Sequence, residues 1–329
     1  MPQMDVRRPR RRKKKKQTVP PVIYLIAVAL AALLILLCIA VSVAARKDDE
    51  VQPAPSESDA PSLASEVAET LPAGDWTKLE LLPEELSEGD LVLVNVEHGI
   101  DDSITPVTVF DQKTDSYYVK DATLSVDKRI MQPLNEWMDA FKKATGLNNV
   151  NVVAGYRTKE YQRKLYDNAV ATKGTAHAEA YIQVPGYSEH HTGLAIDFDT
   201  YFPATGASGG FDGTGQYAWI EEHAWQYGFV RRYPENKAQI TGISYEPWHF
   251  RYVGVPHAYE MQQEKLCLEE YIDLVREHPF TGEHLYVDCA GSHYEIYFCT
   301  QNAVFVPTGS LYTVSGNNVD GYIVTVTAA

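Results

Sequence analysis

A charge-free apolar stretch near the start of the chain most limits how this sequence can fold. No charged residue occurs from position 17 to position 45, and residues 22–45 are almost wholly apolar. A helix of that length can cross a hydrocarbon core of ~30 Å, so we predict a transmembrane anchor over 22–45. A cleaved signal peptide is the alternative, because Ser42-Val43-Ala44 resembles a cleavage site, but a signal peptide has a shorter apolar run of roughly 7 to 15 residues.

The charges on either side of this stretch predict its orientation. Nine of the 29 basic residues lie between Arg7 and Lys16, and such a cluster stays on the cytoplasmic side. We therefore predict a single-pass cell-membrane protein with a cytoplasmic tail, 1–21, and an extracytoplasmic remainder. The net charge is −15 despite that tail, so the remainder is strongly acidic, which disfavours nucleic acid as a partner.

The rest of the chain divides by composition. Residues 46–75 are rich in Ala, Pro, Ser and acids, which predicts a flexible linker. Residues 76–278 form the main predicted domain, and 279–329 contain short strand-like runs between turn signals, which predict a β-rich appendage. Outside the apolar stretch only Cys267, Cys289 and Cys299 occur, an odd number, so no disulfide framework is expected and a Cys289–Cys299 bridge is disfavoured.

Apolar spacing predicts the elements of the main domain. A one-sided apolar stripe predicts a helix over 128–145 that ends at Gly146, followed by a buried strand at 150–154. Thr158 is a predicted N-cap of the next helix. A further helix is predicted from about Gln216 to a cap at Gly228. Residues 89–95 are expected to form a turn that enters a strand.

The most informative motif spans residues 188–198, with the sequence Ser-Glu-His-His-Thr-Gly-Leu-Ala-Ile-Asp-Phe. It holds an imidazole, His190, and a carboxylate, Asp197, seven residues apart. Alternation along a strand puts Ala195 and Asp197 on one face, and a turn at Gly193 would fold His190 back toward Asp197.

A second motif is Glu246-Pro247-Trp248-His249. Pro247 argues against a zinc-binding helix, so His249 is expected on a strand or turn. Together with His190 and Asp197 it makes two nitrogens and one oxygen, a set suited to a catalytic zinc with an open position. Glu246 would then be free to move protons. The alternative is that each histidine is structural.

These motifs resemble those of the VanY-type D-alanyl-D-alanine carboxypeptidases, in the fold group of lysostaphin-like endopeptidases, D,D-peptidases and hedgehog signalling domains. The resemblance covers residues 89–254. It rests on Gly155-Tyr156-Arg157 with Gln162, on Ser188-x-His190-x-x-Gly193-x-Ala195-x-Asp197, and on Glu246-Pro247-Trp248-His249.

The resemblance implies a role for each matching residue. His190, Asp197 and His249 would bind Zn²⁺. Glu246 would be the general base and acid, and Arg157 would stabilise negative charge on the scissile carbonyl oxygen. Ser188 and Gln162 match substrate-binding positions near the C-terminal carboxylate. Alternatively, Ser188 could bond the backbone of its own turn, and Gln162 could be an exposed helix residue. His191 is expected outside the metal site, because neighbouring residues on an extended chain point apart.

The expected fold is α+β, with an antiparallel sheet that carries the zinc site and packs against helices. The expected function is hydrolysis of the terminal D-Ala from peptidoglycan stem peptides. An L,D-carboxypeptidase or a D,D-dipeptidase with the same zinc chemistry remains open, because the walls of the pocket decide that choice. A zinc-bearing wall-binding module without hydrolytic activity is the alternative from another class.

Overall fold

The computed structural model describes residues 71–101 and 104–328. Contacts divide the chain into two units, Met1–Val67 and Ala68–Ala329, and every described residue lies in the second. The predicted tail, the predicted anchor and most of the predicted linker lie outside the described residues. Within 71–101 and 104–328, no helix is both long enough and apolar enough to cross a membrane.

The described residues form helices and strands of an α+β fold. The helices are α1 Met131–Thr145, α2 Lys159–Lys173, α3 Thr175–Tyr181, α4 Ala218–His223, α5 Ala238–Thr241, α6 Val255–Glu264 and α7 Leu268–Arg276. The strands before the helix α6 are β1 Trp76–Leu79, β2 Val107–Thr108, β3 Tyr118–Val119, β4 Ser125–Val126, β5 Val150–Ala154, β6 Ala195–Phe202, β7 Ala207–Gly210, β8 Phe229–Arg231 and β9 His249–Tyr252. Those after α7 are β10 Leu285–Cys289, β11 Ser292–Thr300, β12 Val304–Pro307, β13 Leu311–Gly316 and β14 Gly321–Ala328.

The central sheet has the strand order β3-β5-β6-β9-β8. The first half of β6 pairs with β9, and its second half pairs with β7. The pairs are antiparallel except for β3 and β5, which run parallel, so the expectation of a purely antiparallel sheet needs this correction. The register sets Asp197 directly opposite His249, which brings the two sequence motifs together.

The helix α1 packs on this sheet as its apolar stripe predicts. Leu134 and Trp137 are wholly buried, and the Trp137 ring lies 5.0 Å from that of Phe229 and 5.1 Å from that of Phe250. The helix ends at Gly146, which has a φ of 75°. A left-handed cap of this kind favours glycine because it has no Cβ.

Two further helix predictions have different outcomes. Thr158 caps α2 as expected, because its hydroxyl accepts a hydrogen bond from the Tyr161 amide at 3.2 Å. The helix predicted from Gln216 to Gly228 is interrupted: only α4 is α-helical, and it lies between the 3₁₀ turns Gly215–Tyr217 and Ala224–Tyr227. Gly228 ends this segment with a φ of 77°, as predicted.

The strand expected within residues 89–95 is wrong. Residues 91–95 are buried but form no strand, and the backbone hydrogen bonds of this segment go to separate groups instead of to one neighbouring strand. The Leu91 amide donates to the Ser315 hydroxyl at 2.9 Å, and the Arg251 guanidinium donates to the Val92 carbonyl at 2.9 Å. Buried backbone groups need partners, and here side chains supply several of them.

The C-terminal strands form a second, antiparallel sheet in the order β10-β11-β14-β13, while β12 pairs with β1 near the start of the described chain. Val287, Ile296 and Ile323 of this sheet share one hydrophobic core with Tyr271 and Val275 of α7. The β-rich segment therefore packs against the helices of the main predicted domain.

The cysteines of the described chain form no disulfide bond. Cys267, Cys289 and Cys299 are all buried and free. Cys289 lies opposite Ser292 across the hairpin of β10 and β11, whereas Cys299 lies opposite Tyr322 on β14. The strand register thus separates the two cysteines of the sheet.

Candidate metal and catalytic site

The local structure of the first motif turns His190 toward the central sheet. His190 lies on the 3₁₀ turn Glu189–Thr192, which ends at Gly193 with a φ of 67°. A Cβ at position 193 would meet the Asp127 amide nitrogen at 2.7 Å, so only glycine fits this turn. The chain then enters β6, which carries Asp197 opposite His249 on β9.

His190, Asp197 and His249 form a buried group with the donors of a metal site. One ligand atom from each lies within 4.8 Å of the others. His190 Nε2 is 3.4 Å from Asp197 Oδ2, and His249 Nδ1 is 2.9 Å from Asp197 Oδ1. Two imidazole nitrogens and one carboxylate oxygen are a typical catalytic zinc set, so the residues present fit this metal.

The second nitrogen of His190 is held by the backbone. Its Nδ1 lies 2.7 Å from the Gly155 carbonyl oxygen, which can only accept, so Nδ1 carries the proton and Nε2 keeps a free lone pair. Burial and, to a smaller extent, Arg157 lower the pKa of His190 to about 4, although Asp197 acts in the opposite direction. His190 is therefore neutral at physiological pH, which is the form that binds metals.

The second nitrogen of His249 faces a carboxylate that the sequence analysis did not identify as functional. His249 Nε2 lies 3.4 Å from Glu189 Oε2, so Nε2–H can donate to Glu189 while Nδ1 faces Asp197. Burial alone would lower the pKa of His249, but Asp197 and Glu189 raise it to about 9. A metal that binds through Nδ1 must therefore displace a proton.

Glu189 is itself fixed by two buried arginines. Its Oε1 accepts from Arg232 Nε at 2.7 Å and from Arg251 Nη1 at 2.9 Å. Arg232 also contacts Glu269 of α7 through two hydrogen bonds, of 2.8 and 2.6 Å. Burial would raise the pKa of Glu189, but the two guanidinium groups hold it well below its usual range, so Glu189 stays ionised.

Glu246 lies beside the metal group without belonging to it. The residue is 5% exposed, and its Oε2 is 3.8 Å from His249 Nδ1. Burial and, to a smaller extent, Asp197 raise the pKa of Glu246 to about 8 against the opposing effect of His249. A carboxyl group beside a metal site is a candidate to take up and release protons.

Arg157 reaches the same group from the start of the segment that leads into α2. Its Nη2 donates to Asp197 Oδ2 at 2.8 Å, and its Nη1 lies 3.4 Å from Gln162 Oε1. Gln162 is buried, so its alternative interpretation as an exposed helix residue is wrong. Ser188 is also buried and precedes the turn that carries His190.

All seven predicted site residues line one cleft of about 560 Å³. Its remaining walls include Leu165, Lys173, His177, Tyr181, Tyr233 and Trp248. His191 is buried, and its Nδ1 lies 2.7 Å from the Arg157 carbonyl oxygen. It lies beside His190 on a 3₁₀ turn, not on the extended chain from which its place outside the metal site was predicted.

Comparison with known proteins gives one consistent family. Residues 123–255 match the family described as VanY, D-alanyl-D-alanine carboxypeptidase. The D-alanyl-D-alanine carboxypeptidase of Enterococcus faecium is 35% identical over 251 residues, which are 74% of this chain and 77% of that protein. The bifunctional D-Ala-D-Ala dipeptidase and D-Ala-D-Ala carboxypeptidase VanXYC of Enterococcus gallinarum is 41% identical over 144 residues, 41% of this chain and 73% of that protein.

The fold also matches a solved structure. The vancomycin resistance D,D-dipeptidase VanXYg, in complex with a D-Ala-D-Ala phosphinate analog, aligns with a TM-score of 0.68 and 30% sequence identity. The alignment covers 78% of this chain and 100% of that one.

Proposed function

Because this chain belongs to the VanY family of D-alanyl-D-alanine carboxypeptidases, we propose that it is a zinc-dependent carboxypeptidase that removes the terminal D-Ala from peptidoglycan stem peptides. One observation carries the proposal. A buried group with the donors of a zinc site shares a single cleft with Glu246 and Arg157. That combination suits hydrolysis of an amide, whereas a wall-binding module needs neither a proton carrier nor a stabiliser of developing charge.

The proposed reaction divides the work among these residues. His190, Asp197 and His249 would hold the zinc ion, which when bound would polarise the scissile carbonyl and make a water molecule more acidic. Glu246, which lies beside the metal group, accepts the proton of the attacking water and passes it to the amine of the departing D-alanine. The Arg157 guanidinium donates to the carbonyl oxygen as negative charge develops there.

A test of this function compares the purified full chain with a Glu246→Gln variant on a stem pentapeptide that ends in D-Ala-D-Ala. The unmodified chain is expected to release one D-alanine in a chelator-sensitive reaction, detected by mass. Loss of the proton carrier should lower kcat by about 10²- to 10⁴-fold. Glu136→Gln is the matched control, because Glu136 is an exposed residue of α1, and it should retain full activity.

The same assay separates the related activities. The likeness to a D,D-dipeptidase and to a bifunctional relative favours D,D-dipeptidase activity as the second candidate function. Release of alanine from free D-Ala-D-Ala would support it. If a tetrapeptide that ends in D-Ala is cleaved while the pentapeptide stays intact, the chain is instead an L,D-carboxypeptidase. Zinc binding without cleavage of any of these peptides would contradict a hydrolytic function.

The proposed location is the outer side of the cell membrane, with one N-terminal anchor. Its support is the apolar stretch 22–45 and the basic cluster before it. Removal of residues 1–45 should convert a membrane-bound protein into a released one, which membrane fractionation measures. External protease should reach the catalytic region in cells with a permeable wall; protection of that region would contradict the orientation.

A further inference from the structure

A second cleft lies between the end of the central sheet and the C-terminal sheet. It has a volume of about 360 Å³, within the roughly 300–1,000 Å³ that is usual for small-molecule sites. One wall belongs to the C-terminal sheet, and the other belongs to the end of β9 and the segments beside it. This cleft is separate from the catalytic cleft, which holds all seven predicted site residues.

The wall from the C-terminal sheet presents a patch of hydroxyl groups. Thr325 and Thr327 are two residues apart on β14, so their side chains point to the same face of the sheet. Thr313 of β13 lies directly opposite Thr325, and Tyr294 of β11 lies directly opposite Thr327. Ser315 follows Thr313 by two residues on β13. Five hydroxyls from three neighbouring strands therefore line this wall.

Several hydroxyls of this wall have no partner in the described chain. Thr325 is an exception, because its Oγ1 lies 3.1 Å from His257 Nε2. Three others form no side-chain hydrogen bond within residues 71–101 and 104–328, namely those of Thr313, Thr327 and Tyr294. A hydroxyl can both donate and accept, so this wall suits a ligand that carries several hydroxyls of its own.

The opposite wall carries an aromatic ring and an arginine whose charge is already paired. Tyr252 ends β9, and its hydroxyl also lacks a hydrogen-bond partner within the described ranges. Arg129 donates from Nη1 to Asp90 Oδ1 at 2.7 Å and from Nη2 to Asp127 Oδ2 at 3.0 Å. Among the described residues around the cleft, Arg129 is the only arginine or lysine. An anionic ligand would therefore find no free positive charge here, which favours a neutral ligand.

These features match the chemistry of a sugar ring. Its edge carries hydroxyls that donate and accept, and its faces carry C–H groups that pack on aromatic side chains such as Tyr252 and Tyr294. The choice of sugar rests on the proposed function, because peptidoglycan stem peptides are attached to a glycan of N-acetylated amino sugars. We propose that this cleft binds a sugar unit of the peptidoglycan glycan and so holds the chain on its polymeric substrate.

The first test measures the binding of a neutral probe, the tetrasaccharide of N-acetylglucosamine, to the purified full chain by calorimetry. Thr313→Val and Thr327→Val each remove one hydroxyl and keep a branched side chain that suits a strand. Each should raise Kd by about 2- to 10-fold, the effect of losing one hydrogen bond. Thr300→Val makes the same substitution at the exposed end of β11 and should leave Kd unchanged. Thermal unfolding shows whether each variant is folded.

The second test compares two substrates, a free stem pentapeptide and soluble glycan strands that carry the same pentapeptide. Thr313→Val should raise KM for the strands by about the factor found for the tetrasaccharide. Its kcat and KM for the free pentapeptide should stay unchanged, because Thr313 lines a cleft separate from the metal group and Glu246. A variant that binds the tetrasaccharide less tightly but keeps its KM for the strands would overturn the role in holding the substrate.

The remaining results separate the sugar site from the proposed function. Absence of binding at millimolar tetrasaccharide, or equal Kd values for the unmodified chain and both cleft variants, would overturn the site. Binding of inorganic phosphate that these variants weaken, without binding of the sugar, would overturn it as well. If the unmodified chain binds the sugar through these hydroxyls but cleaves no stem peptide, the proposed function fails while the sugar site stands.

Discussion

Glu189 connects the candidate metal site to the buried charges around it, and the first prediction concerns this residue. Its carboxylate faces His249 Nε2 on one side and two arginines on the other. A carboxylate that orients a metal-binding histidine typically contributes about 10- to 100-fold in metal affinity. We therefore expect Glu189→Gln to weaken zinc binding by about that factor, measured by competition with a chromophoric chelator.

Glu269→Gln is the matched control for Glu189→Gln. Glu269 also forms a buried pair with Arg232 but makes no contact with His249 among the hydrogen bonds and ion pairs of the described residues. Both variants should lose stability, because each leaves a buried arginine less well neutralised. Only Glu189→Gln should lose zinc affinity. Equal zinc affinity of the two variants would show that Glu189 acts on the fold alone.

The limits of sequence analysis differ between the residues of this site. His190 and Asp197 were predictable because a turn and a strand of fixed period join them over seven residues. Glu189 lies inside the same motif but was missed, since its role depends on Arg232 and Arg251, which only the fold brings near it.

At the scale of elements, apolar periodicity predicted the helix that packs through a single apolar face. It failed for a segment whose conformation depends on hydrogen bonds to distant residues. The helix α1 has one apolar face, and it formed as expected. Residues 89–95 have the composition of a strand, yet the Leu91 amide bonds to the Ser315 hydroxyl and the Leu93 amide to the Asn317 carbonyl. Those partners lie more than 200 residues away in sequence, so no local pattern could identify them.

The second prediction concerns the contact of α6 with α7 and β14, where His257 is buried. Its Nδ1 lies 2.6 Å from the Tyr271 hydroxyl, and its Nε2 lies 3.1 Å from the Thr325 hydroxyl. Burial lowers the pKa of His257 from 6.5 to about 3. Below pH 6.5 the unfolded chain therefore binds a proton that the folded chain does not, so stability is lost as the pH falls from 6.5 toward 3.

Well below pH 6.5, the free energy of unfolding should fall by about 1.4 kcal/mol for each unit by which the pH decreases toward 3. His257→Gln should remove this part of the pH dependence, measured as the free energy of unfolding in urea at pH 7.5, 5.5 and 4.5. His293→Gln, on the exposed side of β11, should keep the original dependence. If the free energy of unfolding of His257→Gln depends on pH as strongly as that of the unmodified chain, another group causes the loss of stability.

For the described chain as a whole, the C-terminal strands support the catalytic region through a continuous set of contacts. Ser315 holds the Leu91 amide, and the neighbouring Val92 carbonyl accepts from Arg251. Arg251 in turn donates to Glu189, which faces the candidate metal ligand His249. The strand β12 also pairs with β1, so the segment after position 278 holds the start of the described chain as well.

The third prediction follows from this arrangement. A protease site inserted at the exposed Gly282 would allow the folded chain to be cut between the main predicted domain and the β-rich segment. Because the two parts share a hydrophobic core and the pairing of β1 with β12, the fragments should stay together in size-exclusion chromatography and keep their zinc. Denaturant should separate them. If they separate without denaturant and the larger fragment keeps its zinc and its activity, the β-rich segment is an independent appendage and these contacts do not support the site.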